Sequence, residues 1–149
     1  MPHSDVKRSL AHHISLLARG WRQLADTALA EFGVSNSAGW CLVHIDRLAP
    51  HVRQSSLAEA LGISQPSLVR TLDQLQAAGL VTREADPEDK RSNRIALTAE
   101  GQELVGQIEV KLGTLRADLL EGIPEETIES AANLMVLLNR RIADRRSPS

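Results

Sequence analysis

Two short stretches carry residue types and spacings able to do chemistry. In DPEDKRSNR, Asp86 to Arg94, the acids Asp86, Glu88 and Asp89 and the bases Lys90, Arg91 and Arg94 crowd around one proline. A basic tip on a turn of this kind can reach a minor groove, where a narrow A·T tract concentrates negative potential. Read alone, the same charges are a solvated ion-pair cluster worth under about 1 kcal/mol. Asp86 and Glu88 would repel phosphate unless the turn points them away. In QPSLVRTLDQLQAAG, Gln65 to Gly79, an outward face offers Gln65, Ser67, Arg70, Thr71 and Gln74. Arginine bonds guanine O6 and N7 in bidentate fashion, and glutamine does the same with adenine N6 and N7.

Other constellations are weaker. Cys41 and His44 stand three apart, the spacing of a thiolate pair, yet a small buried thiol is the expected reading. His12 and His13 point to different helix faces, and His44 and His51 add no cluster with metal-ligand spacing, so no metal or cofactor is expected. The chain has no G-x-S-x-G, P-loop or H-E-x-x-H motif, and an enzyme is not expected.

The elements that must position these residues follow from periodicity. Leu10, Ile14, Leu17, Trp21, Leu24 and Ala28 form an a/d seam, the pattern of a helix packed along another helix, ended by Gly33. A second helix is predicted from about Ser37 to Leu48, before Pro50. SSLAEALGIS is a short helix with Leu57, Ala58 and Leu61 inward, stopped by Gly62. Ser64 is a good N-cap, and Pro66 is tolerated in the first turn of the next helix. That helix turns Leu68, Leu72 and Leu75 inward and closes at Gly79. With Ala58 small at the helix contact, Gly62 at the turn, and Ile63 and Leu68 as apolar anchors, the pair reads as a helix-turn-helix. LVTRE and RIALT alternate like strands and flank Asp86–Asn93, which therefore reads as a β-hairpin loop. Thr98 caps a long helix with Leu104, Ile108, Leu112, Leu115 and Leu119 at helical spacing. Gly122–Pro124 breaks it. A last helix carries Ile128, Ala131, Leu134, Met135, Leu138 and Ile142. The fold class is mainly α: a winged helix-turn-helix of about six helices with a small β-hairpin wing.

Bulk composition bounds the rest. The 149 residues predict one domain, with outer helices at 5–32 and 98–144 around a central lobe at 37–97. The outer helices carry more apolar surface than one small monomer easily buries, which predicts a homodimer; the alternative is that these stripes cover the central module within one chain. Net charge is −2, so attraction to nucleic acid would have to come from a local patch. One cysteine permits no internal disulfide, and the N-terminus lacks a signal-peptide core. No apolar run reaches membrane-spanning length, so a cytoplasmic protein with no membrane partner is expected. Aromatic residues are too few for single-strand stacking platforms.

These features together resemble the MarR family of winged-helix transcription regulators, and most closely its SlyA branch. QPSLVRTLDQL followed by GL is similar to the recognition helix of that branch. DKRSNR has the family's wing pattern, acid-x-Arg-x-x-Arg, and runs into Leu97–Thr98 and a helix as the family does. The likeness extends from about Leu17 to Ile142. It implies double-stranded DNA as partner, a pseudo-palindromic site, and DNA contacts from Ser64, Gln65, Ser67, Arg70, Thr71, Gln74, Lys90, Arg91 and Arg94. Arg91 would enter the groove, Asp89 would orient its guanidinium, and Arg94 would brace the hairpin or touch phosphate.

The branch also binds small aromatic carboxylates such as salicylate between its dimerisation helices and DNA-binding lobe. ARGW and WCLVH match positions lining that pocket, which nominates Arg19, Trp21, Trp40 and His44. Trp40 and His44, four apart, share a helix face. An indole wall with an arginine and an imidazole suits a planar anion. Equally, both tryptophans could be core and His44 a satisfied half-buried histidine. The alternative function is a winged-helix module that binds protein without DNA. Between Arg53 and Thr98 the bases (Arg53, Arg70, Arg83, Lys90, Arg91, Arg94) equal the acids (Glu59, Asp73, Glu84, Asp86, Glu88, Asp89), which keeps that alternative open.

Overall fold

Ser35, Ser64 and Thr98 each fix where a helix starts. Ser35 Oγ accepts the Ala38 N–H at 3.1 Å, Ser64 Oγ the Ser67 N–H at 3.3 Å, and Thr98 Oγ1 the Gly101 N–H at 3.1 Å. Each satisfies an N–H that has no partner inside its own helix. The computed structural model describes residues 3–89 and 93–147. Within them the order is α1 (His3–Leu29), a 3-10 turn (Ala30–Phe32), α2 (Asn36–Leu48), β1 (Val52–Arg53), α3 (Gln54–Leu61), α4 (Gln65–Ala77), β2 (Val81–Ala85), β3 (Asn93–Leu97), α5 (Ala99–Leu120) and α6 (Glu125–Arg146). The predicted class, helices around a helix-turn-helix with a hairpin, is the one observed.

The chain divides into two compact units, one up to Gly113 and one from Thr114. The core of the first is built by α2, α3, α4, the sheet and the start of α5. Cys41, Leu42 and Ile45 meet Leu57, Leu68, Leu72 and Leu75, closed by Val52, Val81, Ile95 and Val105. Helix α1 contributes Ala25 and Leu29 to buried surface, and not the predicted seam. Leu10, Leu17 and Leu24 of that seam stand exposed, Leu17 to 54%. Periodicity found an apolar stripe correctly, but the single chain does not cover it.

The sheet is antiparallel with β3 central, order β1-β3-β2. β2 and β3 pair from Val81↔Leu97 to Ala85↔Asn93, and β1 adds Val52↔Ile95 and Arg53↔Arg94. The hairpin was predicted; β1, two residues long, was not. Ile63, expected as an anchor, is 38% exposed. It directly follows Gly62, whose φ of 66° turns the chain between α3 and α4.

The hairpin meets α5 through backbone contacts. Thr98 donates its N–H to Leu80 O at 3.0 Å and its hydroxyl to Gly79 O at 2.6 Å. This brings the first turn of α5 so close that a Cβ on Gly101 would lie 2.1 Å from Leu80 O. Only glycine fits there. In the second unit, α6 starts with Glu125 and Glu126 and ends with Arg145 and Arg146, charges that suit its dipole. None of its residues is buried, and Val136, Leu137 and Ile142 are exposed.

Gly101→Ala is expected to lower unfolding free energy by roughly 1–3 kcal/mol, because backbone must shift to admit the methyl. Gly106→Ala, in the same helix with nothing within 4 Å of the new carbon, should instead gain about 0.5–1 kcal/mol. Urea titration of both variants checks the contrast; equal effects would remove the close-approach argument.

Candidate nucleic-acid interface

Helix α4 is held by its inward row, Leu68, Leu72 and Leu75, all buried. That row leaves Arg70 and Gln74 exposed on the opposite side, and Gln65 exposed at the first residue of the helix. Ser64 stands at the N-cap and donates its hydroxyl to Ser67 Oγ at 3.0 Å. Gln65 Oε1 accepts from Gln54 Nε2 at 3.3 Å, joining the starts of α3 and α4. Thr71 corrects the expected outward face. It is only 8% exposed, and its hydroxyl donates to Ser67 O at 3.2 Å. Position 71 lies three residues after Leu68 and four before Leu75, so it shares their side of the helix. Its hydroxyl is satisfied within the helix, which lets it sit there at small cost.

The hairpin is fixed to α4 by an arginine that periodicity did not single out. Arg83, on β2, donates Nε to Gln76 Oε1 at 2.7 Å and Nη2 to Asp73 Oδ1. Asp73 and Gln76 are three apart on α4, the spacing that lets two acceptors serve one guanidinium. The hairpin and α4 are thus joined side chain to side chain as well as through the core.

Asp86 answers the question its sequence position raised. Its side chain is buried, with the residue 1% exposed. Oδ1 accepts the Glu88 N–H at 3.0 Å and faces Arg94 Nε at 3.4 Å, while Oδ2 faces Arg53 Nε at 3.3 Å. The Glu88 N–H, aided by the charges of Arg94 and Arg53 and opposed by desolvation, holds the carboxyl below its ordinary value. Arg94 is thus paired with a carboxylate of its own hairpin. Glu88 is exposed, 4.0 Å from Arg53 Nη2. Asp89 is exposed. Lys90 and Arg91 lie outside the described residues, and with them the expected Asp89–Arg91 contact.

The expected anion-binding residues come together in part. Trp40 and His44 lie side by side on α2, ring centroids 6.3 Å apart at 71°. The arginine over the indole is Arg22, its guanidinium carbon 4.0 Å from the ring centroid. Arg19 is exposed and its guanidinium reaches Ser15 Oγ at 3.4 Å; Trp21 is half-buried. Asp26 completes the cluster: Oδ1 accepts Trp40 Nε1–H at 2.7 Å and Arg22 Nε–H at 3.1 Å. Any anion approaching Arg22 competes with this internal carboxylate. His44 Nδ1 lies 3.1 Å from Trp40 O. A carbonyl only accepts, so Nδ1 carries the hydrogen and Nε2 is left to take a proton. Cys41, next to this cluster, is buried, and desolvation pushes its thiol up to about 12, which makes it inert.

A profile of the MarR family matches residues 32–92. A solved transcriptional regulator, PA3341, is 33% identical over 93% of this chain and 99% of its own, with a TM-score of 0.77. The regulator SlyA is 20% identical over 91% and 95% of the two chains, TM-score 0.77. CouR from Rhodococcus jostii RHA1, solved bound to p-coumaroyl-CoA, is 23% identical over 85% and 88%, TM-score 0.72. At these last two identities the likeness is one of fold.

Burial, more than the neighbouring Arg47 and Arg22 charges, holds the His44 pKa below 6.5, against the pull of its bond to Trp40 O. The unfolded chain therefore takes up this proton first. Stability is expected to be full above pH 6.5 and to fall as pH drops from there toward the lower folded value. His44→Gln should flatten that part of the profile; an unchanged slope in thermal unfolding between pH 7.5 and 5 would place the imidazole in ordinary solvent.

Proposed function

The chain belongs to the MarR family, a family of transcription regulators and not of enzymes, and from that premise we propose that it binds double-stranded DNA as a homodimer. The observation that carries the reading is the exposed surface of α4, where Arg70 and Gln74 on its outward face and Gln65 at its start stand beside a hairpin that Arg83 ties to the same helix. In this reading α4 enters a major groove, its N-terminal turn nearest the bases. The hairpin carries Arg91 to the adjacent minor groove. The exposed seam of α1, Leu10, Leu17 and Leu24, supports pairing with a second copy. Two-fold symmetry then calls for a pseudo-palindromic site with half-sites about one turn apart. The site of action is the cytoplasm, and among the described residues no helix is long and apolar enough to cross a membrane.

The proposed effector is a small aromatic carboxylate of the salicylate kind, held at Trp40 and His44. The structure of CouR holds p-coumaroyl-CoA, a thioester with an aromatic acyl group, which supports an aromatic effector. An anion that prefers a dimer with different lobe spacing would lower DNA affinity by linkage.

Selection from random duplex DNA, with and without salicylate, tests the reading. The selected duplex should lose affinity with salt at a log–log slope of about −0.9 per phosphate contact. Arg70→Ala should cost about 1–3 kcal/mol and relax the preference at one position of each half-site. A flat salt dependence would leave the protein-binding alternative. Tryptophan fluorescence should respond to salicylate in the wild type and lose that response in His44→Ala; silence in both would remove the effector and leave the DNA reading intact.

A further inference from the structure

The hairpin ladder ends at Ala85↔Asn93. Its buried apolar anchors, Val81 and Ile95, lie on the other side of that pair, toward the core. Past the ladder the next residue is Asp86, and it is more deeply buried than either residue of the last pair. Its carboxylate reaches two elements at once. Oδ1 meets Arg94 on β3 and the Glu88 N–H of its own turn. Oδ2 meets Arg53 on β1, the residue immediately before α3, the first helix of the helix-turn-helix. One side chain therefore ties the beginning of the wing loop to the beginning of the reading motif.

Burying a carboxylate is costly unless charge and hydrogen bonds offset it. The offset here is directional. Oδ2 makes no hydrogen bond among the described residues and faces the Arg53 guanidinium at 3.3 Å. An asparagine could keep the Glu88 bond through its oxygen, but its NH2 would then face the Arg53 N–H, donor against donor. The three charged groups also sit outside the leucine cluster that holds α4. Their loss should free the end of the hairpin and leave the helices packed.

We propose that Asp86, acting through Arg53, is a positioning residue for DNA recognition: it holds the outer end of the β2–β3 ladder at a fixed place relative to the start of the helix-turn-helix, so that hairpin and helix serve one duplex together. This rests on the DNA reading above. Asp86 touches no DNA in this account; Arg91 is the residue it serves.

The test uses the full chain and a duplex that the wild type selects from random DNA. Asp86→Asn should weaken binding about tenfold, in line with the coupling of a buried charge network to its neighbours. Hydroxyl-radical footprints should lose minor-groove protection at the flanks and keep the protection between them. The effect should vanish in an Arg91→Ala background, where there is no wing contact left to position. Arg53→Gln, a change at a half-exposed side chain, should reproduce all three results and serves if Asp86→Asn unfolds. Unchanged affinity, or an equal loss in the Arg91→Ala background, overturns the proposal while DNA binding stands. If the wild type selects no duplex, the DNA reading falls and takes this one with it.

Discussion

The inward row of α4, Leu68, Leu72 and Leu75, is the contact on which the rest of the structure depends. These leucines are buried against Leu42, Ile45 and Leu57 and closed over by Val81 and Ile95. Cores are packed at near-crystalline density, so this contact fixes the rotation of α4 about its axis as well as its position. Rotation decides which side chains face outward. A turn of one residue would bury Arg70 or expose Leu72. The capping bond of Ser64 and the left-handed Gly62 set where the helix begins; the leucines set which way it looks.

Around this contact the charges of the central lobe are arranged so that equal numbers do not mean a neutral surface. Asp86 is buried between Arg53 and Arg94, and Asp73 is engaged by Arg83. Two acids that a count would set against phosphate are turned to structural use. The arginines they hold are the ones that brace the hairpin. Arg70 remains on the outward face, exposed. Placement, and not net charge, determines what such a surface presents to a polyanion.

What was legible in the sequence was whatever depends on local spacing. Helix periods, the caps at Ser64 and Thr98, the breaks at Gly62 and Gly122, and the hairpin all follow from neighbours within a few residues. Thr71 departs from the expected outward face because its hydroxyl, polar by type, is satisfied by Ser67 O and so can sit beside Leu68 and Leu75. Strand β1 was missed because Val52–Arg53 is too short to alternate. Its existence depends on β3, whose Ile95 and Arg94 supply the ladder. The burial of Asp86 depends on Arg53 in the same way. Arg22 replaced Arg19 as the partner of Trp40 for a related reason. Both lie on α1 within one turn, and only the packing of α1 against α2 decides which one covers the indole.

That packing also bears on how an effector would act under the proposed function. Helix α2 has two working faces. Cys41, Leu42 and Ile45 belong to the core that orients α4. Trp40 and His44 belong to the cluster that Asp26 and Arg22 of α1 complete. The two helices touch elsewhere as well: a Cβ at Gly39 would meet Leu29 Cδ2 at an ordinary contact distance of 3.4 Å. A ligand anion that drew Arg22 away from Asp26 would leave the Trp40 N–H as that carboxylate's remaining partner here and alter the balance of forces between the two helices. Helix α2 packs both against α1 and against the leucines beneath α4, so a change in its seat against α1 would be felt at both contacts. The same helix that seats the reading head is the one an effector would touch, which is the minimum a two-site coupling requires.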